Sequence, residues 1–207
     1  LLSRMRKSGL IEVIKRGKRR VYRLKRPTTY ILERAGIFSK LGGLRQKEYV
    51  PLIKNFVASC LEALGGKLYS VVLFGSVARG DAKPTSDLDL LVVAEGLPKS
   101  YVDRVRIFVE IEGRLRSLIG ELWRKGIYVT IQVHPLTVEE ASRFRPLYLD
   151  MVLDSIILYD RKSFFKGIMN RLKDRLKELG ARRIQLPDGT WYWLIKPELK
   201  GSEVVEI

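Results

Sequence analysis

Apolar residues recur along this chain in two rhythms, and the rhythms divide it into elements. Between Lys47 and Leu64, the residues Val50, Ile53, Phe56, Val57, Cys60, Leu61 and Leu64 fall on one stripe of a helix that Gly65-Gly66 ends. From Ser100 to Lys125, Val102, Val105, Phe108, Leu115, Leu118 and Leu122 predict a single long amphipathic helix stopped by Gly126. Arg104, Arg106, Arg114 and Arg116 then fall on its wet side. Leu147 to Leu153 reads as a short helix, and Phe164 to Leu179 as a longer one stopped by Gly180. Thr137 and Glu140 stand at the two positions of a capping box.

The second rhythm is that of strands. Leu68 to Phe74 and Leu88 to Val93 are apolar and β-branched, Ile127 to Val133 alternates, and Ser155 to Tyr159 is a shorter run. Arg183 to Leu186 and Trp191 to Ile195 flank a turn at Pro187-Asp188-Gly189-Thr190. Near the start, residues 1–8 read as the end of a helix stopped by Ser8-Gly9. Ile11 to Arg16 and Arg19 to Leu24 form a hairpin about Gly17-Lys18. Pro27 to Gln46 reads as a connector. The expected division is 1–26, a connector at 27–46, a main domain at 47–160, and a C-terminal helix with hairpin at 161–207.

Composition narrows the class. With 207 residues and 46% hydrophobic content, the chain can bury a core, which argues against wholesale disorder. No apolar run approaches the length of a membrane span, so no membrane association is expected. Cys60 is the only cysteine, so no intrachain disulfide is possible and a reducing, cytoplasmic setting is expected. Leu1-Leu2 opens abruptly without a signal peptide, and the natural chain is expected to begin earlier. Net charge is +16, and residues 1–26 hold eleven Lys and Arg against the lone acid Glu12. Such asymmetry points to a polyanionic partner.

The chemistry concentrates in Leu73-Phe74-Gly75-Ser76-Val77-Ala78-Arg79-Gly80 and, further on, Ser86-Asp87-Leu88-Asp89. A strand ends at Phe74, Gly75 permits a tight turn, and Ser76 opens a short helix whose free amides suit a phosphate. Asp87 and Asp89 stand two apart at a strand's start, so both point to one face about 6–7 Å apart. Carboxylates so placed can converge on a hard divalent cation. Leu88, Leu90 and Val92 take the opposite, buried face. Arg79 and Lys83 could balance phosphate charge.

This segment resembles the signature of the DNA polymerase beta superfamily of nucleotidyltransferases, in the form shared by minimal nucleotidyltransferases, over roughly residues 47–160. The whole chain looks like archaeal nucleotidyltransferase-domain proteins. The resemblance implies an α+β fold, a mixed sheet flanked by helices. It places Gly75 and Ser76 on the triphosphate of an NTP, and Asp87 and Asp89 on Mg²⁺ or Mn²⁺. It implies transfer of a nucleoside monophosphate to a hydroxyl of a protein, nucleic acid or small molecule. Active members usually supply a third carboxylate from a later strand. In the strand Ile127 to Val133 the same-face polar residues are Thr130 and Gln132, and Gln132 could still ligate through its carbonyl oxygen. His134 follows that strand as a possible base or a structural residue. The competing expectation is a weak or inactive, nucleotide-sensing regulator that binds DNA.

Two further features bear on partners. Leu2 to Glu12 with the hairpin after it resembles the end of a recognition helix and the wing of a winged helix-turn-helix domain. That implies DNA contacts from Arg4, Arg6, Lys7, Lys18, Arg19 and Arg20, against the plainer reading of a basic hairpin packed on the next domain. Trp191, Tyr192 and Trp193 could stack on bases, although packing of a terminal hairpin is the favoured role.

Overall fold

The structure, a computed structural model, describes residues 2–3, 11–24, 26–187 and 190–197. The helix end expected at residues 1–8, with Arg4, Arg6 and Lys7, lies almost wholly outside the described residues, as do Asp188 and Gly189. In chain order come strands β1 (Ile11–Arg16) and β2 (Arg19–Leu24), helices α1 (Pro27–Arg34) and α2 (Val50–Leu64), and strand β3 (Leu68–Phe74). Helix α3 (Gly75–Arg79), strand β4 (Leu88–Ala94) and helices α4 (Tyr101–Gly113) and α5 (Arg116–Trp123) follow. Then come β5 (Ile131–Leu136), α6 (Val138–Ser142), α7 (Leu147–Asp154), β6 (Ile156–Asp160), α8 (Phe164–Glu178), β7 (Arg182–Gln185) and β8 (Trp191–Leu194).

The central sheet runs β5-β4-β3-β6. The β4–β5 pair is parallel, and β3 is antiparallel to both β4 and β6, so the sheet is mixed and the fold is α+β. Side chains alternate across β3 and β4 and bury both faces. On one side Val71, Leu73, Leu88, Leu90 and Val92 meet Phe56, Val57 and Cys60 of α2, with Phe108, Ile111 and Leu122. On the other, Val72, Phe74, Leu91 and Val93 meet Tyr148, Met151 and Val152 of α7 and Phe165 and Met169 of α8. Burial on both faces is why these strands read as nearly unbroken apolar runs.

Three expectations need correction. The long helix from 100 to 125 is broken: Arg114 donates to the Ile111 carbonyl and Leu115 to that of Glu112, a tighter three-residue spacing that turns the axis after Gly113. Its outward face is also misjudged, since Arg104 is buried and Val102 is 60% exposed. The Arg104 guanidinium donates to both Glu140 oxygens, at 2.6 and 3.0 Å, and a paired arginine can occupy an inward position.

The second correction concerns the connector. Residues 27–34 form α1, and Leu32, Phe38, Leu41 and Leu44 are buried in the same core as α2. Thr29 ties α1 to α2 by donating to Asn55 at 2.9 Å. The third concerns the strand placed at 127–133, which pairs only from Ile131. Residues 127–130 are extended against the loop before β4, where Tyr128 donates to the Pro84 carbonyl and Val129 is fully buried. Burial of an extended segment produced the alternation there, ahead of the ladder.

Several elements stand as expected. The N-terminal hairpin turns at Gly17, the Thr137–Glu140 capping box forms in both directions, and the C-terminal strands pair with Gln185 opposite Trp191.

Candidate active site

The site lies where β3 and β4 end side by side. Phe74, the last residue of β3, pairs with Asp89 of β4. The chain then turns sharply at Gly75, whose φ of +72° is one that L side chains rarely adopt. Helix α3 starts there, with Ser76 as the residue after the turn. The Asp89 carboxylate packs against Gly75 so closely that a β-carbon there would stand 3.0 Å from Asp89 Cγ. The turn at Gly75 and the Asp89 carboxylate are therefore in contact.

Asp87 is exposed and Asp89 is half-buried. Thr130 donates its hydroxyl to Asp87 Oδ1, which fixes one carboxylate oxygen and leaves the other to turn outward. Burial, and then the neighbouring charge of Asp87, push Asp89 up to about 6, while Arg79 pulls it down. A pair of carboxylates that repel each other is a donor set suited to a hard divalent cation, whose charge offsets the cost of bringing them together. Gln132 lies opposite Asp89 in the parallel ladder and is exposed, so it takes the position expected for a third ligand. Among the described residues, no group of three or more His, Cys, Asp and Glu could hold a metal ion.

Residues read as a plain connector hold the loop between α3 and β4. Gln46 donates to the Ala82 carbonyl at 2.8 Å and accepts from its amide at 3.2 Å. Arg45 covers Gly80, where a β-carbon would come within 2.7 Å of the arginine Cδ. Ser86 accepts from the Lys83 amide at 2.9 Å. Neither Arg45 nor Gln46 lies in a recognisable motif, and their spacing from the acidic pair gave no sign of these contacts.

Arg79 ends α3 and donates to Asp81 at 3.2 Å. Its charge also reaches Asp150 of α7, a half-buried carboxyl that burial pushes above its ordinary value and Arg79 draws back. Asp150 was missed in the sequence because it stands alone in an amphipathic helix. His134 packs its ring 5.4 Å from that of Phe74, and burial lowers its pKa, which fits the structural reading.

Comparison with known proteins decides the family. The nucleotidyltransferase domain family matches residues 53–159, more than half of the chain. This chain belongs to that family. It is similar to a protein of Methanocaldococcus jannaschii named "Putative protein adenylyltransferase MJ1305", at 35% identity over 130 residues, covering 62% of this chain and 83% of that one. A second protein of that organism, likewise named as a protein adenylyltransferase (MJ0141), is 41% identical over 51 residues, covering 25% of this chain and 52% of that one. Among solved structures, a toxin–antitoxin complex with AMP-PNP is 18% identical with a TM-score of 0.40, covering 61% of this chain and 91% of that one.

The chain is therefore a nucleotidyltransferase. The family match encloses Gly75, Ser76, Arg79, Lys83, Asp87, Asp89 and Gln132, and leaves the N-terminal hairpin and the C-terminal hairpin outside. Lys83 is exposed on the loop between α3 and β4. Lys18, Arg19 and Arg20 are exposed, as is every residue of β2, while Arg23 is held by Glu12 at 2.6 Å. No helix of the described residues is long and apolar enough to cross a membrane.

Proposed function

We propose that this nucleotidyltransferase transfers AMP from ATP to a hydroxyl group of a protein acceptor, at Asp87 and Asp89. The observation that carries this reading is the contact of the Asp89 carboxylate with Gly75, which brings the acidic pair to the opening of α3. The 35% identity to a protein named as a protein adenylyltransferase supports the choice of nucleotide and of acceptor class.

Asp87 and Asp89 would hold Mg²⁺ or Mn²⁺, with Gln132 as a neutral ligand through its carbonyl oxygen. A bound divalent cation supplies charge neutralisation on the phosphates and a template for in-line displacement. Gly75 lets the backbone approach the β,γ-phosphates, and the Ser76 hydroxyl and amide donate to them. Lys83 adds positive charge beside the departing pyrophosphate, while Arg79, paired with Asp81, favours the ionised form of Asp89. Thr130 keeps Asp87 in one orientation, and the Gln46 amide holds the loop that carries Lys83 and Asp87. Catalysis rests on positioning and charge, since none of these side chains is placed to form a covalent intermediate.

The test is label transfer from α-labelled ATP in the presence of Mg²⁺ to protein in a lysate of the source organism. Label on protein that disappears in an Asp87→Ala/Asp89→Ala variant is the expected result. Equal labelling by both forms would overturn the assignment.

The exposed basic strand β2 favours a second, independent role in binding DNA through Lys18, Arg19 and Arg20. Neutralising phosphates releases counterions, so affinity should fall steeply with salt, and Arg19→Ala with Arg20→Ala should flatten that slope by about two. Affinity that ignores salt and these substitutions would leave the hairpin as a packing element.

A further inference from the structure

Beyond the acidic pair, α3 ends in a second feature. Arg79, Asp81, Arg183, Gln185, Thr190 and Trp191 line an open cavity of about 400 Å³. The last four come from the C-terminal hairpin, which lies outside the residues matched by the family. In that hairpin Arg183, Gln185, Trp191 and Trp193 share one face, because Gln185 pairs with Trp191 and Arg183 with Trp193. Trp193 anchors the hairpin: its indole donates to the Leu149 carbonyl at 3.2 Å and packs into the core beneath α7 and α8. Trp191 is two residues nearer the turn and faces the cavity.

The chemistry of the lining selects among ligands. Both guanidinium groups are already matched by acids, Arg79 by Asp81 at 3.2 Å and Arg183 by Asp154. A free inorganic anion therefore gains little there. What the cavity offers is a flat surface with hydrogen-bonding edges. Arg183 lies 5.3 Å over one face of the Trp191 ring, so a heterocycle that stacks on this indole takes its other face. The Asp81 carboxylate accepts, and the Gln185 amide both donates and accepts. That combination fits a planar heterocycle carrying an amine and ring nitrogens. Position agrees: Arg79 is the last residue of the helix whose first residue, Gly75, touches Asp89. From Gly75 to Arg79 the helix rises about 6 Å, a gap that a ribose and one phosphate can span.

We infer that the cavity between Arg79 and the C-terminal hairpin seats the adenine ring of the donor nucleotide, with Trp191 as its stacking surface and Asp81 and Gln185 at its edge. This rests on the nucleotidyltransferase reading of Asp87 and Asp89, and it extends that site onto a hairpin outside the residues matched by the family.

The experiment compares binding of ATP and of inorganic tripolyphosphate to the full chain in Mg²⁺. Wild type is measured beside Trp191→Leu, Trp191→Phe and Asp87→Asn/Asp89→Asn. Trp191→Leu should weaken ATP by about tenfold to a hundredfold, the range for loss of one base stack, and leave tripolyphosphate unchanged. Trp191→Phe should restore most of the loss, which a collapsed hairpin could not do. Unchanged ATP affinity in Trp191→Leu, or a parallel loss of both ligands, would overturn the inference. So would two ATP molecules per chain with only one lost in Trp191→Leu, since the ring seated there would not be the donor's. Failure of the acidic-pair reading appears elsewhere, as tripolyphosphate binding that survives in Asp87→Asn/Asp89→Asn.

Discussion

Asp89 and Gly75 are in contact across the ends of two adjacent strands, and the contact depends on the absence of a side chain at Gly75. The glycine has two reasons to be there, a φ of +72° and the carboxylate against its α-carbon.

Gly75→Ala tests both. A β-carbon would meet Asp89 Cγ at 3.0 Å and Cβ at 3.3 Å, so the acid must swing away or the turn must open. The strained backbone should cost about 1–3 kcal/mol of stability. Displacing a positioned ligand by about 1 Å can cost a hundredfold in rate, and nucleotidyl transfer should fall by at least that much. Chemical denaturation and labelling from α-labelled ATP measure the two effects. A variant as stable and as active as wild type would mean that the turn and Asp89 do not share a site.

The protonation of Asp89 gives a pH signature. Its folded value of about 6 stands above its ordinary 3.8, so the folded protein binds this proton more tightly than the unfolded chain does. The stability it contributes is fully present below pH 4 and is lost as pH rises through 6. Asp89→Asn carries no such charge. Without divalent cations it should melt with wild type at pH 4 and about 2–4 °C above it at pH 7.5. That corresponds to roughly 1 kcal/mol, scaled down because the group is only half-buried. Mg²⁺ should stabilise wild type at pH 7.5 and not the variant. A melting difference that stays flat across this range would remove the burial and repulsion assigned to Asp89.

The acidic pair and the glycine turn were legible in the sequence because their order along the chain, Gly-Ser and then Ser-Asp-Leu-Asp, reflects adjacent strand ends. The sheet's central strands were legible because burial on two faces leaves them almost wholly apolar. Gln46 was not legible, since a single amide that grips a loop 36 residues away has no local pattern. Arg104 misled the reading of its helix because charge is a poor guide to exposure once a carboxylate such as Glu140 meets it with both oxygens. The strand at Ile131 began late because alternation records which side chains are buried and does not record which backbone groups pair.

Arg104 and Glu140 provide a stability test away from the site. The guanidinium meets both carboxylate oxygens and also donates to the Pro98 carbonyl, so one side chain joins α4, α6 and the loop after β4. Its hydrogen bonds are the main reason that Glu140 titrates below its ordinary range. Arg104→Ala should cost about 3 kcal/mol, because it strands a partly buried carboxylate and opens the packing around it. Arg104→Lys should recover little of this, since an ammonium cannot repeat the two-pronged geometry. Urea unfolding of the two variants measures both losses. A lysine variant as stable as wild type would reduce the pair to simple charge attraction.

Gln132 offers a direct test of the proposed metal site. It lies opposite Asp89 in the ladder, on the strand where the resemblance to the polymerase beta superfamily implies a third acid. An amide oxygen there can ligate but adds no negative charge and cannot accept a proton from an attacking hydroxyl. Gln132→Asp should therefore tighten Mg²⁺ binding by on the order of tenfold, through the added charge among the oxygen ligands. It should also raise the rate of nucleotidyl transfer, most visibly at low Mg²⁺. A further carboxylate should push Asp89 higher still in the metal-free protein, so the gain in affinity should be larger at pH 8 than at pH 6. Isothermal titration at the two pH values reads the first effect, and labelling across a Mg²⁺ series reads the second. If neither changes, the third-ligand position does not lie at Gln132, and the metal site closes through groups outside β5.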